Sequence, residues 1–394
     1  MATLAVAALS ARALAEAAAD EGHAVLALDL FGDADTCDAA VRWWSIGDAA
    51  SLRIASAPLC AALRLAAAQH GAIGWIPGSG FEANTALLQA GSAWLPLIGN
   101  PAQVWARVRD PQLFFGCLDA HGLPHPAVQR HAPLNAEGWL IKDSASCGGE
   151  RIRPAAAHGA ASALADHLPP SAYYQRVMAG RPVSVTFIAN GHEAVVLGFN
   201  EQRVQAMPGR PYAFAGVVGP VTLPEVAARG LRRALAALVA EFGLRGLGSL
   251  DAMLDGDDFA VLELNPRPPA SLSLYRRCGS QGVIDAHLQA CLHGRLPRPP
   301  SARSTVRGQA IVYAHDALQI DASAAERLAS WPGAHDLPLP GFRVAAHEPL
   351  CSLDASGADA ASVHNRLEVE SGRLLAALAS HPGARFDNPP GDPR

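Results

Sequence analysis

The sequence predicts a protein of mixed α/β and α+β class, built in three parts. Strand and helix patterns alternate through roughly the first hundred residues, which is typical of a parallel sheet covered by helices. The middle of the chain holds strand patterns separated by tight turns, and the end returns to a short mixed pattern. At 394 residues, half of them hydrophobic, the chain can form two or three cores and is too apolar to be disordered throughout.

The first part begins with a strand, a helix and a second strand. Residues 3–8 form a short apolar run, and residues 11–19 consist of strong helix formers. Gly22 ends the helix, and a second apolar run follows at residues 24–30, with Asp29 near its end. These elements predict the strand–helix–strand unit of a parallel sheet.

A further strand of this sheet is predicted at residues 72–76, followed by the loop of residues 77–82. Loops at the carboxyl ends of parallel strands are where open α/β sheets bind ligands. Ser79, Gly80 and Glu82 in this loop are therefore candidate substrate residues, and we expect the Glu82 carboxylate to pair with an ammonium group. The alternative interpretation is an ordinary glycine-rich turn between a strand and a helix.

The central part combines helices with a larger number of strands. Its predicted elements are a helical region at residues 101–121 interrupted by Pro111, strands at 139–142, 171–177, 183–189 and 195–199, an amphipathic helix at 223–242, a hairpin of strands 246–254 and 259–264, and a helix at 284–293. The proline-rich residues 296–301 are predicted to be a linker. The last part has predicted strands at 309–313 and 350–353 and a helix at 362–378.

Composition excludes several classes of protein. The formal charge of −5 argues against a nucleic-acid or anionic-membrane surface, because both require a basic excess. The seven cysteines are scattered without C-x-x-C pairs, as expected of reduced thiols in a cytoplasm and not of a disulfide framework or zinc site. No run reaches the ~18 uncharged apolar residues of a membrane helix. We therefore expect a cytoplasmic protein whose partners are small molecules.

One lysine stands out in a chain whose other basic residues are all arginine. Lys142 is the only lysine among 31 basic residues, and it ends an apolar strand before the small-residue loop of residues 143–149. An ammonium group is a compact point charge on a flexible stem, whereas a guanidinium is a rigid fork. A glycine-rich loop can also turn backbone N–H groups towards an anion such as phosphate. We therefore interpret Lys142 as a phosphate ligand; chance retention at an exposed strand end is the alternative.

A second group of candidate residues lies on the predicted hairpin. Glu263 and Asn265 are two positions apart on one strand, so both side chains point to one face. A three-residue loop would set Asp251 of the partner strand opposite Glu263, whereas a four-residue loop would turn Asp251 to the other face. Two carboxylates and an amide oxygen are hard ligands suited to Mg²⁺. Arg267 follows two residues later and is placed to clamp a phosphoryl or carboxylate oxygen.

In order and spacing, four segments resemble the ATP-grasp superfamily. They are Lys142 with residues 147–149, residues 174–180, residues 248–251 and residues 263–267. The resemblance implies an N-terminal Rossmann-like domain (1–98), a two-lobed ATP-grasp domain (99–298), a C-terminal α+β domain (299–386) and a short tail (387–394) that we expect to be disordered.

The resemblance also implies roles for individual residues. Lys142, Gly148 and Gly149 would cover the phosphates of ATP, and the hinge strand Gln175, Arg176, Val177 and Met178 would read the adenine through its backbone. The positions matching Asp251, Glu263 and Asn265 hold Mg²⁺ in the family. Many members carry an earlier phosphate-contacting lysine; here Arg109 stands near that position, so either Arg109 replaces the lysine or the contact is absent.

The flanking segments resemble a narrower branch, the biotin-carboxylase-related ATP-dependent carboligases. Residues 212–220 resemble a small-residue loop of the tyramine–glutamate ligase of methanofuran synthesis, which makes Gly216 a candidate substrate residue. Members of the family resembling D-alanine ligase have an arginine where Ser249 stands here, so Arg267, helped by Arg203, would take over the oxyanion clamp.

The implied activity is an ATP-grasp ligase that joins an acid to an amine through an acyl phosphate. The branch further suggests a methanopterin- or furan-type one-carbon cofactor as the product's class, and it leaves a homodimer open. Two alternatives remain at this point: a carboxylase-like enzyme that phosphorylates bicarbonate, and a non-catalytic ATP-binding regulator.

Overall fold

A computed structural model of the protein describes residues 1–158, 168–278, 281–299 and 305–379. The predicted linker 296–301 lies partly, and the predicted tail 387–394 wholly, outside the described residues. Within these ranges, no helix is both long enough and apolar enough to cross a membrane. The mixed α/β class predicted from the sequence is confirmed, with one parallel sheet and one large antiparallel sheet.

The N-terminal part is a four-stranded parallel sheet with strand order β3-β2-β1-β6. Its strands, with the two-residue pair β4 and β5, are β1 (Thr3–Ala7), β2 (Ala24–Asp29), β3 (Arg42–Ser45), β4 (Gly47–Asp48), β5 (Arg53–Ile54) and β6 (Gly74–Pro77). Its helices are α1 (Arg12–Asp20), α2 (Ala34–Ala39), α3 (Ser56–His70) and α4 (Ala86–Ser92). Strands β1 and β2 are almost wholly buried, as expected of a parallel sheet covered on both faces.

Two helices and a small antiparallel sheet open the central part. The helices α5 (Ala102–Arg109) and α6 (Pro111–Ala120) meet at Asp110, whose side chain caps the second helix at the predicted break. The sheet has strand order β7-β10-β8-β9, and its strands are β7 (Val128–Gln129), β8 (Trp139–Asp143), β9 (Arg153–Pro154) and β10 (Ala172–Arg176).

An eight-stranded antiparallel sheet then runs through the rest of the molecule, in the order β15-β14-β11-β12-β13-β18-β22-β20. Its strands are β11 (Arg181–Asn190), β12 (Ala194–Met207), β13 (Arg210–Val221), β14 (Arg245–Asp255), β15 (Asp258–Asn265), β18 (Val306–Tyr313), β20 (Ala334–His335) and β22 (Pro349–Gly357). The strands of the predicted C-terminal domain therefore extend the central sheet. The stretch 212–220, expected to be a loop, lies inside strand β13.

Helices cover this sheet. They are α7 (Glu225–Phe242), α8 (Val283–His293), α9 (Ala322–Ser330) and α10 (Ala360–Ala379), and the remaining short strands are β16 (Arg277–Cys278), β17 (Gln281–Gly282), β19 (Leu318–Gln319) and β21 (Arg343–Val344). Helix α7 shows the predicted amphipathic pattern: its buried face, including Leu231, Leu235 and Leu238, packs against Val185 and Leu250 of the sheet. Each such leucine contributes about 1.5–3 kcal/mol through burial.

Candidate functional site

A cavity of about 420 Å³ lies between the small sheet and the large one. Strands β8 and β10 supply one wall, and strands β11 to β15 supply the other. The structure brings ten of the predicted site residues together on its lining: Lys142, Gly148, Gly149, Gln175, Val177, Met178, Asp251, Glu263, Asn265 and Arg267.

The predicted opposition of Asp251 and Glu263 is present, but it arises in an unexpected way. The turn between β14 and β15 has two residues, Gly256 and Asp257, which is neither of the two loop lengths considered from the sequence. A two-residue turn alone would place Asp251 opposite Leu262. A β-bulge at Leu262 shifts the register by one residue, so that Asp251 pairs with Glu263 and Ser249 pairs with Asn265.

The two carboxylates differ in exposure and in charge: Asp251 is buried, whereas the Glu263 side chain is 38% exposed on the cavity. Burial, and then repulsion from Glu263, raise the pKa of Asp251. Burial also opposes the charge on Glu263, but Lys142 and then Arg109 outweigh it and lower the pKa of Glu263. One carboxylate is therefore held ionised by cations, while its neighbour resists ionisation.

The residues fit a divalent cation. The Asp251 Oδ1 atom is buried and has no hydrogen-bond partner within the described structure, which is costly for a carboxylate oxygen unless a ligand supplies one. The Asn265 amide donates to Asp251 Oδ2 at 3.2 Å and so holds that side chain in place. Two carboxylates and an amide on one face suit Mg²⁺, which prefers oxygen ligands.

Lys142 is 6% exposed, and its Nζ lies 3.4 Å from Glu263 Oε2. Burial works against the charge, but the nearby Tyr173 and Glu263 outweigh it and raise the pKa of Lys142. Tyr173 is the neighbour of Lys142 across the β8–β10 pair. The ammonium is therefore charged and fixed at the edge of the cavity, which is what an anion site requires.

The glycine loop after β8 lies over the cavity and is fastened on both sides. Phe214 N donates to Gly148 O at 2.9 Å, and Gly149 adopts a left-handed φ of 77° against Tyr212. On the other side, the Arg109 guanidinium donates to the carbonyl oxygens of Ser144 and Ser146. Arg109 was predicted to contact phosphate, but it does not line the cavity. It instead holds the glycine loop in place through the loop's backbone carbonyl groups.

The four residues of the predicted hinge strand, 175–178, differ in their burial and in their contacts. Gln175 is buried, and its Oε1 has no hydrogen-bond partner in the described structure. Val177 and Met178 are exposed on the cavity wall by 44% and 38%, as a free apolar surface for a ring. The Arg176 side chain points elsewhere: it donates to Glu137 O and its guanidinium lies 5.8 Å from the Trp139 ring centre.

The predicted role of Glu82 as partner of an ammonium group is not supported by its contacts. Its Oε1 accepts from Arg267 Nε at 2.6 Å, and its Oε2 accepts from Gly80 N at 2.6 Å. Burial opposes the charge, but Arg267 and Arg109 lower the pKa of Glu82. Both oxygens are occupied, so Glu82 fixes Arg267 instead. Ser79 and Gly80 likewise lie behind the cavity lining, where Ser79 O accepts from Leu9 N at 2.9 Å.

Two further predicted substrate residues lie outside the cavity. Arg203 points to the opposite face of β12, where its Nη1 lies 3.0 Å from His364 Nδ1 of helix α10. Gly216 is needed for close packing, because a Cβ there would collide with Gln309 O of the adjacent strand. Gly216 departs from the prediction because residues 212–220 form a strand, and Arg203 because its neighbours Gln202 and Val204 occupy the cavity face of β12.

Several residues of the cavity lining were not predicted from the sequence. Strand alternation from Asp251 would have identified Ser249 and Met253, which share its face. Leu262 could not be found that way, because only the bulge turns it to the same side as Glu263.

The central part of the chain is similar to a known protein family. Residues 109–271 match the family model described as ATP-grasp domain. A segment of 116 residues, 29% of the chain, is 25% identical to the carbamoyl phosphate synthase large chain of Thermoplasma volcanium, but it spans only 11% of that protein.

Three solved structures share the fold over nearly the whole chain. A biotin carboxylase–βγ-ATP complex from Campylobacter jejuni has a TM-score of 0.72 and 16% identity, covering 96% of this chain and 95% of that one. The L-amino acid ligase of Bacillus licheniformis has a TM-score of 0.69 and 13% identity, with coverages of 94% and 97%. The biotin carboxylase domain of Hydrogenobacter thermophilus 2-oxoglutarate carboxylase was solved with MgADP and bicarbonate. It has a TM-score of 0.68 and 14% identity, covering 97% of this chain and 91% of that one.

Proposed function

We propose that this chain, an ATP-grasp protein through its residues 109–271, is an ATP-dependent ligase that joins a carboxylic acid to an amine. The observation that carries the proposal is the arrangement of charges in the cavity. Lys142 and Arg267 line one cavity together with the carboxylates of Asp251 and Glu263, and apolar side chains supply much of the remaining lining. Such a site suits a nucleotide whose phosphates meet the cations and whose ring meets the apolar wall.

The proposed reaction has two steps. An oxygen of the substrate carboxylate attacks the γ-phosphorus of ATP, the bond to the bridging oxygen breaks, and ADP leaves. The amine nitrogen then attacks the acyl carbon of the resulting acyl phosphate and loses a proton, and phosphate leaves with one oxygen of the acid. The protein's task is positioning and charge neutralisation.

Each residue group has a part in this scheme. Lys142, Gly148 and Gly149 hold the phosphates, and Val177 and Met178 carry the adenine. Glu82 fixes Arg267 through Nε, which orients the guanidinium for the substrate carboxylate.

Asp251, Glu263 and Asn265 would hold Mg²⁺. When bound, this ion supplies neutralisation of the phosphate charge. A bound cation would also supply the partner that Asp251 Oδ1 lacks within the described residues.

Several finer assignments belong to the proposal. The resemblance of the flanking segments supports a methanopterin- or furan-type one-carbon cofactor as the product class. The cysteine pattern supports action in a cytoplasm, and the dimer described for one structural neighbour supports a homodimer. A carboxylase-like reaction on bicarbonate is the competing function, because one structural neighbour was solved with MgADP and bicarbonate.

An isotope experiment tests the acyl-phosphate route. Candidate acids and amines are first screened for ADP release, and the productive acid is then supplied with ¹⁸O in its carboxylate. We expect labelled inorganic phosphate in amounts that match ADP and amide. Amide formed without label in phosphate would exclude the acyl phosphate. ADP release that requires bicarbonate and no other acid would instead establish the carboxylase reaction, and ATP binding without turnover would indicate a regulator.

A further inference from the structure

A second cavity, of about 690 Å³, lies on the C-terminal side of the molecule. We name it the arginine groove, because four arginines from separate elements line it: Arg276, Arg307, Arg366 and Arg373. None of its lining residues belongs to the nucleotide cavity. Its volume is within the range of small-molecule sites. The proposed ligase reaction gives it no role.

The groove carries an excess of positive charge. Its lining has four arginines and two carboxylates, Asp354 and Glu370, which leaves two formal positive charges. Both carboxylates are already engaged: Asp354 Oδ2 lies 3.4 Å from His335 Nε2, and Glu370 Oε1 lies 2.7 Å from Arg373 Nη1.

Two of the four arginines carry the excess. Arg276 is bound to Glu16 and Asp20 of helix α1. Arg307 and Arg366, by contrast, form no ion pair within the described ranges of the chain. Arg366 donates to the carbonyl oxygen of Ser356 at 3.0 Å, and Ser356 is the register partner of Arg307 across β18 and β22. The Arg366 guanidinium and the backbone of Arg307 therefore both lie beside Ser356, and both arginines line the same groove.

From these contacts we propose that the arginine groove binds a small molecule with two or more negative charges. Guanidinium groups present parallel N–H donors that match the oxygens of a phosphoryl or carboxylate group. Two arginines that line one groove and form no ion pair within the described residues favour a ligand with several such oxygens over a neutral one. The ligand chemistry is a phosphate or polycarboxylate, recognised mainly by Arg307 and Arg366.

The groove is also next to the nucleotide cavity. A single 3₁₀ helix, Ala270–Tyr275, separates them: Ala270 and Ser271 line the nucleotide cavity, whereas Ser273 and Leu274 line the groove. Ser273 is 7% exposed and donates to Gln309 Oε1 at 3.3 Å, so the groove side of this helix is tied to strand β18. An anion in the groove would therefore rest on the same helix that lines the nucleotide cavity.

Titration calorimetry on the full-length chain tests the proposal, with inorganic phosphate and citrate as separate probes and with no magnesium present. We expect binding of at least one probe, and at least tenfold weaker binding in the double variant Arg307→Ala, Arg366→Ala. The matched control is Arg229→Ala, at an exposed arginine of helix α7 outside the groove, which should bind as the wild type does.

Two further measurements distinguish binding in the groove from binding in the nucleotide cavity and from dimer formation. Lys142→Ala should keep the affinity for the probe, because Lys142 lies in the other cavity. If this variant no longer bound the probe, the anion would be in the nucleotide cavity and the proposal would be overturned. Equal binding in the double variant and the wild type, or no binding of either probe at millimolar concentration, would also overturn it. So would a dimer, detected by sedimentation, that the double variant abolishes, since a second copy of the chain would then be the occupant.

Discussion

At the scale of single residues, the cavity between the two sheets contains one buried and one partly exposed ion pair. Arg267 and Glu82 form a short pair, at 2.6 Å, with side chains that are 12% and 2% exposed. Lys142 and Glu263 form a longer pair, at 3.4 Å, that opens on the cavity. Removing one member of a buried pair leaves an uncompensated charge, at a cost of about 3–5 kcal/mol. The first pair therefore serves as a fixed support, while the second can exchange partners with a ligand.

His335 gives a prediction about pH at this scale. Its ring lies 3.4 Å from both Glu16 and Asp354, and these hydrogen bonds, first to Asp354, raise the pKa of His335 to about 9. A raised pKa means that the folded state binds the proton more tightly. The stabilisation is complete below the ordinary pKa of 6.5 and is lost as pH rises through about 9. Because the ring is partly exposed, we expect about 1 kcal/mol.

Denaturant unfolding of the wild type and of His335→Gln, from pH 6 to pH 10, measures the difference in free energy of unfolding between the two proteins. The gap in free energy of unfolding should be largest at the acidic end and should close at the alkaline end. A matched control is His315→Gln, at an exposed histidine outside these ion pairs. A gap that stays constant, or that widens as pH rises, would contradict the assignment.

At the scale of elements, the glycine loop after β8 behaves as a cover whose position is fixed by its backbone. Gly149 has a left-handed φ of 77°, and a Cβ on it would collide with the carbonyl oxygen of Tyr212. Gly148 also has a left-handed φ, of 65°, but a Cβ there would meet nothing within 4 Å. An alanine at Gly148 would therefore add backbone strain alone, whereas an alanine at Gly149 would add both strain and a collision.

We expect Gly149→Ala to weaken ATP binding by at least tenfold, because the loop can no longer lie against β13. Gly148→Ala should cost only the backbone strain of about 1 kcal/mol, or roughly fivefold. Binding of a fluorescent ATP analogue gives both values, and thermal unfolding shows whether each variant is folded. Similar losses in the two variants would mean that the loop does not need contact with Tyr212.

Elements also show where prediction from the sequence reached and where it stopped. Apolar runs and their breaks were enough to predict the buried strands β1, β2 and β8 and the helix α7. Strand β3 was missed because Trp43 and Trp44 are half-exposed on an edge strand and form no buried run. The face of Asp251 was left open between two loop lengths, and the bulge that decides it leaves no signature in residue types. The position of Arg203 could not be predicted either, because no strand was predicted at residues 200–207 and its partner His364 is 161 positions away in the sequence.

At the scale of the whole molecule, the N-terminal sheet is joined to the rest through buried polar contacts. Arg12 is 3% exposed on helix α1, and its guanidinium reaches Asp336, beside strand β20, by two hydrogen bonds of 3.0 and 3.1 Å. Glu21 at the end of α1 accepts from the first turn of helix α8, at Ile284 N and Asp285 N. These contacts link segments more than 250 positions apart, so the ends of the chain support each other.

Arg12 gives the prediction that tests this linkage. In Arg12→Met, three carboxylates that now face one guanidinium, those of Glu16, Asp35 and Asp336, would face one another. We expect the free energy of unfolding to fall by about 3 kcal/mol, because the charges left behind are largely buried. Adding Asp336→Asn should recover part of this loss by removing one of the repelling charges.

Denaturant unfolding followed by tryptophan fluorescence measures both values. Arg229→Met is the matched control, because its partner Glu225 is 3.7 Å away on an exposed helix face, and it should change stability by less than about 0.5 kcal/mol. If Arg12→Met cost no more than this control, Arg12 would not hold the two ends together. If Asp336→Asn does not relieve the fall in stability, the cost comes from lost packing of the arginine stem and not from carboxylates left without a cation.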